Sequence, residues 1–228
     1  MSIKDKYFVQ PVTKADYAGW ILKKHYAHRM PMAVEYAFGL YDENKTIVGV
    51  CIFGPTAPPV PITLFGEIGK YVVRELTRLV VNEGVPSNTL SYFVSQCMKI
   101  IPISMCLVSY ADENAGHHGY IYQALNWIYT GKGGGETNII DNDGKPVHNI
   151  TITDGCKREK INRAMYMQKY EYTETKALPK HRYLYFLGNK VRKKEMMNNL
   201  KCSVLPYPKG DNKRYDASYE PEVQNLLF

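Results

Sequence analysis

Between Lys70 and Tyr129 the sequence switches repeatedly between two hydrophobic periods, and this switching limits the fold more than any other feature. KYVVRELTRLVV, Lys70 to Val81, has the β-branched content of a central strand. Its polar residues Arg74, Glu75 and Arg78 fall out of strict alternation, which a β-bulge explains. Next, Ser87 or Asn88 caps a helix whose Leu90, Phe93, Val94, Cys97, Met98 and Ile101 follow i, i+3, i+4 spacing. MCLVSYAD, Met105 to Asp112, reads as a buried strand, and GYIYQALNWIY, Gly119 to Tyr129, as the following helix. Strand, helix, strand, helix predicts a βαβ crossover with parallel pairing, and hence an α/β (α+β) fold with a mixed sheet.

The flanking sequence adds to this frame. Thr13 followed by Asp16 opens a helix, running to about Ala27, in which Tyr17, Trp20 and Ile21 share a face. AFGLYDE and TIVGVCIFG form a hairpin turning at Asn44-Lys45, and a proline-rich loop follows at 55–61. TGKGGGETN, residues 130–138, lacks the GK[ST] of a nucleotide loop and reads as a surface connection. VHNITITDG and HRYLYFLG read as strands, the latter leading into a basic tail, VRKKEMM. At 228 residues, 1–228 is expected to be a single domain.

Composition narrows the class. No apolar run approaches the roughly 18 residues of a membrane span, and the charged N-terminus does not look like a secretory signal, so a cytoplasmic setting is expected. The cysteines at 51, 97, 106, 156 and 202 include no CxxC pair, which points to free thiols. The net charge of +7 is unevenly spread: residues 157–214 carry 16 Lys and Arg against 5 Asp and Glu, leaving the remainder at −4. That segment interleaves its cations with Tyr166, Tyr170, Tyr172, Tyr183, Tyr185 and Phe186, as a face that meets phosphates and bases would, although basic runs are also ordinary solvated surface.

Chemistry is sought where strands end. Ser109-Tyr110-Ala111-Asp112 ends a strand, and Glu113-Asn114-Ala115-Gly116-His117-His118-Gly119 follows at once. A carboxylate, an amide and two imidazoles in one turn can form a catalytic floor, and Asp112 leads among them; the bland reading is that Asp112 or Asn114 caps the next helix. Helical spacing puts Tyr122, Asn126 and Tyr129 on one face, where they either line a pocket or sit in a plain core. Arg74, Glu75 and Arg78 each need a partner or a wet cavity, so Glu75 as base and Arg78 as anion holder stand beside a structural ion pair. His25, Tyr26 and His28, in HYAHRMP, carry two imidazoles at i, i+3, a metal-capable spacing without a carboxylate companion.

Taken in order, HYAHRMP, FGLYDENKTIVGVCIFGP, ELTRLVV, SYADENAGHHGYIYQALNWIYTG and KHRYLYFLG resemble the Mom family of phage DNA modification proteins, over roughly Trp20 to Lys194. The resemblance implies a GNAT acetyltransferase-like domain: a mixed sheet, a bulged central strand, a splayed neighbour and flanking helices. It also implies conversion of adenine in double-stranded DNA to its N6-carbamoylmethyl form, which hides phage DNA from host restriction. In that reading Arg78, Ser87, Asn88 and Asn114 hold the group donor. Asp112 or Glu75 accepts the N6 proton, Tyr122 acts as acid or orienting donor, and His25, Tyr26 and His117 assist. Lys157, Arg158, Arg163, Arg182, Arg192, Lys193 and Lys194 grip phosphates while Tyr110 or Trp127 holds the flipped base. Typical GNAT enzymes cradle acyl-CoA pyrophosphate on R/Q-x-x-G-x-G/A, whereas residues 82–88 here read NEGVPSN, with one glycine and a glutamate. The donor is therefore open: acetyl-CoA fits the loop poorly, and a metal-assisted step is an alternative. Two rivals stand beside this reading, an acyl-CoA-dependent N-acyltransferase acting on a small amine or protein, and a basic DNA-binding protein without catalysis.

Overall fold

A computed structural model describes residues 2–113, 116–133, 137–147, 149–176 and 178–209. After a short α1 (Ile3–Lys6) and an edge strand β1 (Phe8–Pro11), α2 (Lys14–Gly19) runs directly into a π-helical turn, Trp20–Lys24. The Asp16 carboxylate accepts from both the backbone N–H and the hydroxyl of Thr13 at 2.7 Å, closing the N-terminus as the sequence suggests. The helix ends at Lys24, earlier than expected, because His25 turns to extended backbone with its N–H on the Trp20 carbonyl.

β2 (Tyr36–Tyr41) and β3 (Ile47–Pro55) form the expected hairpin. The Asp42 carboxylate accepts from the N–H of Asn44 and of Thr46, fixing the turn. The proline-rich 55–61 segment is not simply a loop: α3 (Pro59–Phe65) starts within it, with a proline in the first turn, where no intrahelical N–H is required.

β4 (Val73–Val81) carries the bulge. Ile52 of β3 pairs with Arg78 but Phe53 pairs with Leu76, which leaves Thr77 as the extra residue, its hydroxyl donating to the Ile52 carbonyl. The insertion switches the side-chain parity, so that Leu76, Leu79 and Val81 all face one layer while Val80 faces the other. This parity switch is the physical cause of the broken alternation.

α4 (Thr89–Ile100) crosses from β4 to β5 (Cys106–Ala111), and these two strands are the one parallel pair among the described residues. They pair only from Val73/Cys106 to Glu75/Val108 and then splay. The Gly119–Tyr129 helix is corrected: α5 spans only Tyr120–Ala124, Asn126 takes a left-handed turn (φ 56°), and β6 (Ile128–Lys132) begins at once. Tyr122, Asn126 and Tyr129 therefore share no helical face.

Most of the described part of the 130–138 connection is strand, since residues 130–132 belong to β6 and residues 137 and 138 open β7 (Thr137–Ile140); residues 134–136 lie outside the described set. β8 (Pro146–Val147), α6 (Asn149–Glu159), α7 (Arg163–Lys169) and β9 (Thr173–Lys176) follow, and β7, β8 and β9 make a second, three-stranded sheet. From Asn149 on, VHNITITDG is thus helix rather than strand, while Val147 belongs to β8 and His148 lies outside the described residues. Ile152 and Gly155 fall on one helical face against Tyr166, and a side chain at 155 would collide with that ring. β10 (His181–Phe186) then inserts between β5 and β6, giving the order β1-β2-β3-β4-β5-β10-β6, and α8 (Lys190–Asn199) follows.

α4 and α5 cover one face of the large sheet through Phe93, Val94, Cys97 and Tyr122; α2 with its π-helical turn, α3 and α8 cover the other through Tyr17, Trp20, Ile21, Phe65 and Met196. Bulge, splay and flanking helices match the architecture expected from the resemblance. Among the described residues no helix is long and apolar enough to cross a membrane.

Candidate functional site

The splay between β4 and β5 opens into a cavity of about 1290 Å³. Glu75, Arg78, Asp112, His117, Tyr122, His25 and Tyr26 all line it, as do Ser87, Asn88, Tyr110 and Arg182. Residues chosen from four separate stretches of sequence thus converge on one space. Asn114 lies outside the described residues.

Each group is held by its local fold. The bulge sends Arg78 toward the loop after the π-helical turn, where its Nε and Nη2 donate to the Arg29 carbonyl at 3.1 and 2.9 Å and its Nη1 to the Thr77 carbonyl. Arg74, by contrast, is committed to an ion pair with Glu35. At the end of β5 the Ser109 hydroxyl donates to the Leu76 carbonyl across the splay and lies 2.7 Å from the Tyr122 hydroxyl. With its one proton on Leu76, Ser109 accepts from Tyr122. Burial also pushes the Tyr122 hydroxyl up, so its proton is held firmly and an orienting role suits it better than an acid role.

Asp112 is mostly buried and lies 3.3 Å from Lys180 Nζ. Lys180, just ahead of β10, also lowers the Tyr26 hydroxyl against the larger upward push of burial, while Asp112 and Glu75 raise it, which places these charges around one phenol. His117 lies against Tyr26 with the ring centroids 5.9 Å apart and the planes tilted by 48°; burial holds its imidazole below the usual range and Asp112 opposes that.

His25 is 4% exposed. Its Nδ1 accepts the Ala27 N–H at 3.1 Å, which places the ring proton on Nε2, and burial, with Arg78 second, lowers its pKa to about 3. His28 is occupied separately with the Leu22 carbonyl, so the i, i+3 imidazoles do not converge on a metal. The unfolded chain protonates this histidine near 6.5 and the folded chain only near 3. His25 therefore contributes stability that is complete above pH 6.5 and is lost as the pH falls toward 3. From pH 7 to pH 5 the loss is about 2 kcal/mol for this residue. The melting temperature is expected to drop over that interval and to drop less in His25→Gln; equal pH slopes in the two proteins would remove His25 as the cause.

Other expected residues sit elsewhere. Trp127 is fully buried against Tyr122 and Tyr185, so it is corrected from base-holding residue to core residue. Arg182 lines the cavity but is tied to β6 through the Thr130 hydroxyl at 2.9 Å. Lys157 and Arg158 lie on α6 and Arg163 on α7; Arg163 pairs with Glu174. Arg192, Lys193 and Lys194 lie on α8, where Arg192 pairs with Glu195 and Lys193 sits over the Tyr185 ring. None of these six touches the cavity.

Lys180 and Tyr120, both on the cavity wall, escape the sequence reading. Lys180 opens the motif KHRYLYFLG, but only β10 pairing with β5 brings it to Asp112. The loop Asn82–Asn88 and the start of α4 form the far wall. Gly84 is its sole glycine and Glu83 places a carboxylate at the rim, so these residues do not fit a coenzyme A pyrophosphate, although the helix N-terminus can still face an anion.

A model of the Mom protein family matches residues 6–209. The chain is 29% identical over 202 residues to the methylcarbamoylase Mom of Escherichia phage Mu, covering 83% of this chain and 78% of that relative. Among solved structures, it is similar to the spermidine/spermine N-acetyltransferase SpeG of Vibrio cholerae, with TM-score 0.46 and 7% identity, over 86% of this chain and 99% of that one. A Corynebacterium glutamicum structure described as histone acetyltransferase HPA2 and related acetyltransferase matches with TM-score 0.43 and 11% identity, over 81% and 99% of the two chains.

Proposed function

The chain belongs to the Mom protein family, and from that premise we propose that it transfers a carbamoylmethyl group to the N6 amine of adenine in double-stranded DNA. The setting is the infected bacterial cell, where the product shields phage DNA from host restriction endonucleases. The observation that carries this reading is the cavity: the carboxylates of Glu75 and Asp112 and the cations of Arg78 and Lys180 are among the groups around a space above the roughly 300–1,000 Å³ of ordinary small-molecule pockets. Group transfer needs room for two reactants, and this cavity has it.

The N6 lone pair of adenine is delocalised into the ring, so forming a bond from nitrogen to carbon requires a base to take an N6 proton while the bond from that carbon to the donor breaks and its electron pair leaves with the donor. Asp112, with Lys180 beside it, is that base, and Glu75 stands on the opposite strand of the splay. Arg78, its fork fixed by backbone carbonyls, neutralises negative charge on the donor, and the Ser109–Tyr122 pair orients the reacting groups. The base must leave the helix stack to arrive here. Tyr110 and the exposed Tyr120 supply the aromatic faces that buried Trp127 does not. Both stems of the inserted second sheet, at Asn138 and at Leu178 and Lys180, border the cavity, which puts the insertion beside the mouth where a duplex would deliver its base.

Nucleosides from plasmid DNA of a bacterium expressing the protein are expected to contain a deoxyadenosine heavier by one carbamoylmethyl group, read by mass spectrometry. Unmodified DNA together with salt-dependent duplex binding would support a non-catalytic DNA-binding protein instead. Unmodified DNA with tight acetyl-CoA binding and little duplex affinity would support an N-acyltransferase.

A further inference from the structure

We propose that Glu113, His118 and His181 form a binding site for one divalent transition-metal ion with the ligand chemistry of Zn²⁺, which clamps the loop bearing Asp112 and His117 to β10. None of the three lines the cavity, so the proposal does not depend on which group the cavity transfers.

Their ligand atoms all lie within 4.8 Å of one another. The fold produces this meeting from distant sequence. His181 pairs with Ala111 at the end of β5, and Glu113 follows two residues later. His118 closes the same loop, its carbonyl accepting from the Tyr183 hydroxyl and from Gln123 Nε2, so the backbone that carries this imidazole is fixed from β10 and α5.

His181 gives an independent sign of a ligand. It is 2% exposed, its Nδ1 lies 2.9 Å from the Tyr129 hydroxyl, and its Nε2 is buried without a hydrogen bond among the described residues. A buried imidazole nitrogen without a partner is costly unless something binds it. With Nδ1–H directed to Tyr129, Nε2 presents a lone pair, the tautomer in which a hydrogen-bonded histidine ligates metal. Glu113 uses one carboxylate oxygen on Lys132 at 2.7 Å, which leaves the other available.

Two imidazoles and one carboxylate select a borderline transition metal over Ca²⁺ or Mg²⁺, which take oxygen ligands. Metal bonds of about 2.1 Å bring ligand atoms to roughly 3–3.5 Å of one another, a contraction that side-chain rotation can supply.

The full-length protein, stripped with a chelator, is to be titrated with Co²⁺ by visible absorption and with Zn²⁺ by calorimetry. The expected result is one equivalent bound, with Zn²⁺ displacing Co²⁺, and affinity lowered at least tenfold in both Glu113→Gln and His118→Asn, each confirmed folded by circular dichroism. No stoichiometric binding by the parent overturns the proposal, as does undiminished binding in the two variants, which would locate the metal elsewhere. Neither readout depends on DNA modification, so failure here and failure of the proposed activity are separable.

Discussion

Asp112→Asn is expected to leave plasmid DNA essentially unmodified, with the rate of carbamoylmethyl transfer lowered by roughly 10²–10⁴-fold, the contribution of a positioned general base. The substitution keeps the size of the side chain and its capacity to accept a hydrogen bond from Lys180 across the present 3.3 Å. It removes the charge and the ability to take a proton. Melting temperature and duplex binding are therefore expected to stay near the parental values while the modified nucleoside disappears. A variant that modifies DNA at the parental rate would transfer the role to Glu75, whose Glu75→Gln protein then becomes the informative one. Lys180→Gln separates the two functions of the ion pair. Without the cation Asp112 keeps its lone pairs but loses its anchor, so a partial loss is expected, smaller than that of Asp112→Asn.

The legibility of this site in the sequence depends on how local each determinant is. Arg74, Glu75 and Arg78 stand out because charges in a central strand demand an explanation, and the bulge at Thr77 explains them together. Arg74 goes to Glu35 and Arg78 to the cavity. The Asn44-Lys45 turn and the αβ crossover are equally local, set by Asp42 and by the spacing within Thr89–Ile100. What the sequence hides is non-local. His181 reaches Glu113 and His118, and Lys180 reaches Asp112, only through β10–β5 pairing across some seventy residues. Period alone also misleads where short elements abut. Tyr122 to Tyr129 keeps a helical apolar spacing, yet the left-handed Asn126 ends the helix and β10 captures Ile128 onward as a strand. The β-branched run of VHNITITDG suggests a strand, but burial of Ile152 against Tyr166 in the small second core selects a helix.

Trp127→Ala is expected to destabilise the protein by about 3–5 kcal/mol, a fall in melting temperature of roughly 10 °C for a chain of this size. The indole is fully buried, with its ring 5.0 Å from Tyr122 and 5.7 Å from Tyr185, and the Trp127 carbonyl accepts from the Tyr207 hydroxyl at 2.8 Å. Removing it opens a void beside the Ser109–Tyr122 pair, so modification activity should also decline, but as a consequence of the unfolding detected by thermal melting. A base-stacking tryptophan would behave in the opposite way, losing activity at an unchanged melting temperature. Tyr120 provides the matched control, since it is 68% exposed on the cavity wall. Tyr120→Ala should melt like the parent and lose modification, because little packing is lost while an aromatic face that receives the flipped base is removed. If the two variants exchanged these behaviours, the tryptophan would have to leave the core to meet DNA, and the packing between α5 and β6 would be a moving part of the site rather than its fixed support.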